Sequence, residues 1–118
     1  MIRNLFLAFL GGGIGSLARY SASLMFGSKF ITTLCINIIG SLLMGLIIGT
    51  AIKNPDFEKT WTLFLATGLC GGFTTFSAFS VENIMLIQEG KFLTSIFYIL
   101  TSVTIALVAA WAGYQYSS

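Results

Sequence analysis

Four stretches of this chain are apolar for about the 20 residues that a bilayer crossing needs. They cover residues 4–26, 32–50, 60–88 and 92–114, and the joints between them are short: GSKFI, AIKNPDFEK and EGK. Asn54-Pro55-Asp56 in the second joint is a turn signal by composition. In lipid the backbone is satisfied only in helices or closed barrels. These segments are too long and too continuously apolar to be barrel strands. The pattern therefore predicts an all-α membrane protein with four transmembrane helices. Trp61, Trp111, Tyr114 and Tyr116 fall near span ends, where an interfacial aromatic belt would lie.

Composition supports the same class. Of the 118 residues, 56% are hydrophobic and 8% are charged, against about 25% charged in a typical soluble domain. The net charge of +2 comes without any Lys/Arg cluster, so no nucleic-acid partner is expected. There are two cysteines and no histidine. That excludes a Cys/His metal site and a histidine-based nucleophilic triad, and no enzyme is expected. Cys35 and Cys70 both lie in apolar segments and read as small buried residues. The N-terminal Arg3 and the apolar run after it have the look of a leader, but the run continues to Phe26 and reads as a retained span.

With four spans, Arg3, Lys53 and Lys59 share one face of the membrane. Lys29 and Lys91 lie on the other, with Arg19 if it snorkels outward. So even a tally gives almost no orientation by the positive-inside rule. Either the protein simply has few charges, or it inserts both ways and permits an antiparallel dimer.

Polar residues recur inside the spans at helical spacing. In the second, Thr33, Asn37, Ser41, Gly45 and Gly49 form one i+4 row. The glycines read as close-packing positions, as does Gly11-x-x-x-Gly15 in the first span. A mid-span amide such as Asn37 needs a partner or a cavity; it is either an interhelical bond or a donor to an anion. In the fourth span, Thr94, Tyr98, Ser102, Ala106 and Ala110 make a matching row. Its hydroxyls either bond their own backbone or donate to an anion.

The third span carries the strongest signal. Gly71-Gly72, followed by Thr74-Thr75, predicts a break near its centre. Non-helical backbone at that depth is tolerated only where it is buried in protein or lines a cavity, and its free carbonyls can hold a cation. Phe76 and Phe79 share a face one turn later. They are core, or lipid-facing, or turn the positive edges of their rings toward an anion path. Glu82 continues that face. A carboxylate inside a span costs about 2.5–3.5 kcal/mol and is a functional candidate by default.

GGGIGSLARY (11–20), TTLCINIIGSLLMG (32–45) and GLCGGFTTFSAFSVE (68–82), in this order, make the chain resemble the Fluc/CrcB family of bacterial fluoride channels along nearly its whole length. The resemblance implies an antiparallel, dual-topology homodimer in the bacterial inner membrane. It implies two pores that export fluoride passively, and a structural Na+ at the dimer centre. Carried over by position, the sodium falls to the backbone carbonyls of Gly71 and Thr74. The fluoride pore falls to Phe76, Phe79, Asn37, Thr33, Thr75, Ser77, Tyr98 and Ser102, and an electropositive vestibule to Arg19. Ala78 and Ala106 depart from the pattern, each by a missing hydroxyl, and Ser16 stands where alanine is usual. A small dual-topology multidrug exporter is the rival, but it would want a glutamate in the first span, where none stands. A subunit that only packs against a partner would need no uncharged polar track beside a broken span.

Overall fold

The computed structural model describes residues 1–118, and every regular element in it is helical. α1 is Ile2–Met25 and α2 is Lys29–Lys53. α3 covers residues 55–73 in three continuous pieces, Pro55–Phe57, Glu58–Cys70 and Gly71–Phe73. α4 is Phe76–Gln88 and α5 is Phe92–Ser117. α3 and α4 together make one span, so four helical segments are long and apolar enough to cross a membrane. The molecule measures 51 Å along its longest axis, enough for a bilayer with its headgroups at about 40–45 Å.

The joints follow from local chemistry. Asn54 ends α2, and its Oδ1 accepts the Phe57 N–H at 3.1 Å, with Pro55 as the first helical residue of α3. Proline is suited there because its missing N–H would have been unpaired anyway. After α4, Gly90 takes φ 77°, the Lys91 N–H bonds the Leu86 carbonyl at 2.8 Å, and the chain turns at once into α5. A left-handed residue at that position favours glycine. Over Glu58–Cys70 the helix is widened to the π form, and the Gly71 N–H reaches back to the Ala66 carbonyl.

Two helix pairs form the body, and each is joined by glycines. In α1 a Cβ on Gly11 would meet the Phe64 carbonyl, and one on Gly15 the Leu69 carbonyl. Gly68 and Gly72 answer from α3, where a Cβ would meet backbone at Gly11 and Gly12. In the second pair, Gly45 of α2 lies against the Ala110 carbonyl of α5, and Gly113 of α5 against the Leu42 carbonyl. Small residues let two backbones approach in lipid, where burial of apolar surface does not drive helices together.

Large apolar side chains such as Phe9, Leu93, Phe97, Leu107 and Trp111 are exposed around this body. A soluble surface rarely shows so much, whereas a bilayer accepts it. Trp61 stands at the start of α3 and Trp111, Tyr114 and Tyr116 at the end of α5. Chain direction puts all four at the same end of the bundle, so the aromatics mark one face and not both. Cys70 is buried at 1% exposure, but Cys35 is exposed. The expectation for Cys35 is therefore corrected: in a span whose outer surface meets lipid, apolarity does not reveal which way a small side chain faces.

Gly15→Val is expected to destabilise the protein by about 1–3 kcal/mol or more, because the valine meets α3 backbone that cannot yield. Gly13→Val, on the same helix with nothing within 4 Å of its Cβ, should leave thermal unfolding in detergent close to wild type. Equal unfolding of the two variants would contradict the packing.

Candidate functional site

The break in the third span falls at Thr74-Thr75, not at the glycine pair. Gly71 and Gly72 are helical, while Thr74 (φ −78°, ψ 157°) and Thr75 (φ −146°, ψ 119°) are extended. Glycine weakens a helix only when nothing offsets it; here Gly72 is packed on α1. The threonines supply bonds outside the helical ladder. Thr74 turns both its N–H and its Oγ1 onto the Cys70 carbonyl, each at 3.0 Å. Thr75 opens α4 as its cap, with Oγ1 accepting the Ala78 N–H at 3.1 Å and lying 3.3 Å from the Ser77 hydroxyl.

Asn37 of α2 spans the gap. Its Nδ2 donates to the Thr75 carbonyl at 3.0 Å, and its Oδ1 accepts the Thr75 N–H at 2.8 Å. Of the two readings of Asn37, the structure realises the interhelical bond, and one of its two amide protons stays free of it. Arg19 approaches from α1, and its Nε donates to the Gly72 carbonyl at 3.3 Å. The Ser16 hydroxyl reaches the same carbonyl at 3.5 Å. A cation suits that place, the negative end of α3. The Thr74 carbonyl accepts no hydrogen bond.

Two recesses meet at this break. The first, about 320 Å³, is lined by Asn37, Ser41, Thr74, Thr75, Phe76, Phe79, Ser102 and Ala106 among others. The Ser102 hydroxyl is buried there without a partner. The rings of Phe76 and Phe79 stand 5.7 Å apart, but their settings differ: Phe79 is 8% exposed and Phe76 is 77% exposed in the single chain. The second recess, about 380 Å³, is lined by Arg19, Lys29, Thr75, Ser77, Ala78, Val81, Glu82 and Met85. Ala78 occupies its wall where a hydroxyl is missing.

Thr33 and Tyr98 line neither recess. Both serve Glu82, which is buried: the Thr33 hydroxyl donates to Oε2 at 2.7 Å and the Tyr98 hydroxyl to Oε1 at 2.6 Å. A hydroxyl carries one proton, so these two do not stand as free donors in this arrangement. The Tyr98 ring also packs on Phe79, with centroids 5.1 Å apart, and edge-on to Phe30 at 5.6 Å. Phe79, Tyr98, Glu82 and Thr33 thus form one connected cluster. Of the two residues assigned to the sodium, Thr74 at the break lines the first recess, while Gly71 in the last turn of α3 lines neither. No group of His, Cys, Asp or Glu side chains is placed to hold a metal ion.

Sequence reasoning missed three things here. Lys29 faces the same recess as Arg19, although its position in a joint reads as a charge for counting. Thr33 and Tyr98 converge on Glu82, a pairing that no spacing within one helix announces. Asn83 and Ser95 are buried and bonded to each other at 2.8 Å; a mid-span asparagine next to the glutamate was the available signal.

The model of the family described as "CrcB-like protein, Camphor Resistance (CrcB)" matches residues 6–114. A fluoride-specific ion channel FluC of Azobacteroides pseudotrichonymphae is 39% identical over 97% of this chain and 95% of its own length. One of Flavobacterium psychrophilum is 43% identical over 95% of this chain and 94% of its own. A FluC 1 of Yersinia pseudotuberculosis is 42% identical over 77% of this chain and 75% of its own. The family model covers nearly the whole chain, and with it the break, both recesses and the Glu82 cluster: this multi-pass membrane protein belongs to the CrcB family.

Proposed function

We propose that the chain is a fluoride-selective channel of the bacterial inner membrane that exports cytoplasmic fluoride passively. The observation that carries the reading is the path itself. A recess lined by neutral donors shares Thr75 with a recess lined by Arg19, Lys29 and the hydroxyl-bonded Glu82, beside the buried Phe79 and a helix break at bilayer depth. Relatives over nearly the whole chain carry the name fluoride-specific ion channel.

Fluoride is small and strongly hydrated, so a path must replace its water with donors. Arg19 and Lys29 raise the local anion concentration at the mouth of their recess. Deeper in, a full positive charge would hold the ion too long, and conduction needs release as well as capture. The groups there are neutral: the unpaired Ser102 hydroxyl, the remaining amide proton of Asn37, the Thr75 and Ser77 hydroxyls, and the ring edges of Phe76 and Phe79. Ring edges are electropositive and repel no anion. The Tyr98 and Thr33 hydroxyls, which meet on Glu82 in the wall of the second recess, exchange: each turns its single proton from Glu82 to the passing ion and back. The gradient arises because hydrogen fluoride enters as a neutral acid and ionises inside. The membrane potential adds about 2.3 kcal/mol per charge per 100 mV toward exit. A multidrug exporter's glutamate would have to meet an organic cation. Glu82 is 6% exposed and already accepts two hydroxyls, which disfavours that use.

The functional unit of this proposal is an antiparallel homodimer with two pores. The exposure of Phe76 along the first recess supports it, since a second copy would close that open side. The near-even charge tally supports insertion in both senses. A sodium ion at the centre fits the residues present. The Thr74 carbonyl is without a hydrogen bond, the Gly71 carbonyl belongs to the last turn before the break, and neutral backbone oxygens suit a hard cation. Bound there, Na+ would supply a fixed positive charge and tie two breaks together. Arg19, Ser16 and Asn37 hold the break's other groups.

Liposomes holding this chain alone should release fluoride when a potassium ionophore relieves the charge, and release chloride far more slowly. Asn37→Ala removes two half-buried bonds at the break, which leaves backbone groups of Thr75 unpaired at a cost of about 1–3 kcal/mol, and should cut efflux together with thermal stability. Phe76→Ile removes the ring edge but keeps an apolar side chain of similar bulk at a position 77% exposed within the chain, so it should cut efflux with little loss of stability. Efflux unchanged in both variants would rule out this path.

The sodium proposal has its own check. Purified protein in Na+ should unfold at a higher temperature than in choline at equal ionic strength, by the ordinary linkage of a ligand that binds only the folded state. Identical unfolding in the two salts would remove sodium from Gly71 and Thr74.

A further inference from the structure

α4 is buried along a single stripe: Phe79, Glu82, Asn83 and Leu86. Two of these make polar bonds to α5. Glu82 accepts the Tyr98 hydroxyl and belongs to the path already described. Asn83 does not. Its Nδ2 donates to the Phe79 carbonyl one turn earlier at 2.9 Å, and its Oδ1 accepts the Ser95 hydroxyl at 2.8 Å. Ser95 is 2% exposed and Asn83 7%, and neither lines a recess.

An amide and a hydroxyl at this depth need each other, and plain glue between spans is one use for them. Their placement gives them another. Asn83 follows Glu82 directly on α4, and Ser95 precedes Tyr98 by three residues on α5, so the two bonds are neighbouring rungs between the same helices. The Glu82–Tyr98 rung must open whenever the Tyr98 proton serves an ion, since there is one proton to give. α4 has 13 residues and starts at a break. With that rung open, nothing polar but Asn83–Ser95 ties it to α5.

We infer that Asn83 and Ser95 are positioning residues. Their bond holds the rotation of α4 so that Phe79 stays in the wall of the first recess and Glu82 stays opposite Tyr98 while the Tyr98 proton is with the ion. This rests on the fluoride-channel reading above.

The test compares fluoride efflux per folded protein in liposomes for wild type, Ser95→Ala, Ser95→Thr, Asn83→Leu and Ser117→Ala. Ser117 serves as the control: it is a buried serine of α5 whose hydroxyl bonds the Gly113 carbonyl at 2.8 Å, at the far end of the helix. Ser95→Ala and Asn83→Leu should each lower the rate by about 3- to 20-fold, the worth of one interhelical bond in a bilayer. Ser95→Thr, which keeps the hydroxyl, and Ser117→Ala should stay near wild type. A purely structural bond would change the folded fraction and leave the rate per folded protein alone. Wild-type rates in Ser95→Ala, an equal fall in Ser117→Ala, or no recovery in Ser95→Thr would overturn the inference. Should Ser95→Ala not fold, a wild-type rate in Asn83→Leu overturns it equally. Absence of fluoride flux in the wild-type protein would instead bring down the channel reading, and this inference with it.

Discussion

The N–H and the carbonyl of Thr75 have no place in a helical ladder, and at bilayer depth they have no water to bond. One side chain, Asn37, meets both. Much of the site depends on that pair of hydrogen bonds. It lets the third span open where it does, fixes α2 against the opening, and brings Asn37 and Ser41 to the same recess as Phe79 and Ser102. Thr74 and Thr75 complete the arrangement locally, by bonding back to Cys70 and forward to Ala78. An interruption that would be costly in an isolated helix becomes a defined turn between two half-spans.

The glycine contacts give that turn a rigid frame. α1 lies close enough on α3 for Arg19 and Ser16 to reach the Gly72 carbonyl. α2 lies close enough on α5 that backbone meets backbone at Gly45 and Gly113. α4 is the lightly held element, tied by a short stripe with its own polar bonds. Charge is distributed to match. Arg19, Lys29 and Glu82 line one recess, and the polar lining of the other is hydroxyls and an amide beside aromatic rings. The buried carboxylate of Glu82 has both oxygens occupied by hydroxyls, so neither is left unpartnered away from water.

Local sequence carried much of this. Length and continuity of the apolar runs determined four spans, because a bilayer imposes one thickness on every crossing. Glycine spacing marked Gly11, Gly15 and Gly45 as contact points, because only a missing Cβ admits another backbone. The polar rows marked Asn37, Ser102 and Glu82 as side chains in need of partners, because lipid offers none. The sequence therefore determined which residues must be accounted for.

Which partners they found was decided by the tertiary structure. The glycine pair looked like the break, and packing on α1 kept it helical while Asn37 opened the chain two residues later. Thr33 and Tyr98 read as free donors and became ligands of Glu82, since the three come from three different spans. Cys35 read as buried and faces outward, and Asn83 with Ser95 went unnoticed until α4 and α5 were set side by side. Periodicity reports which residues share a face of one helix; it carries nothing about which face of another helix that one meets, and a hydrogen bond across spans is a statement about both.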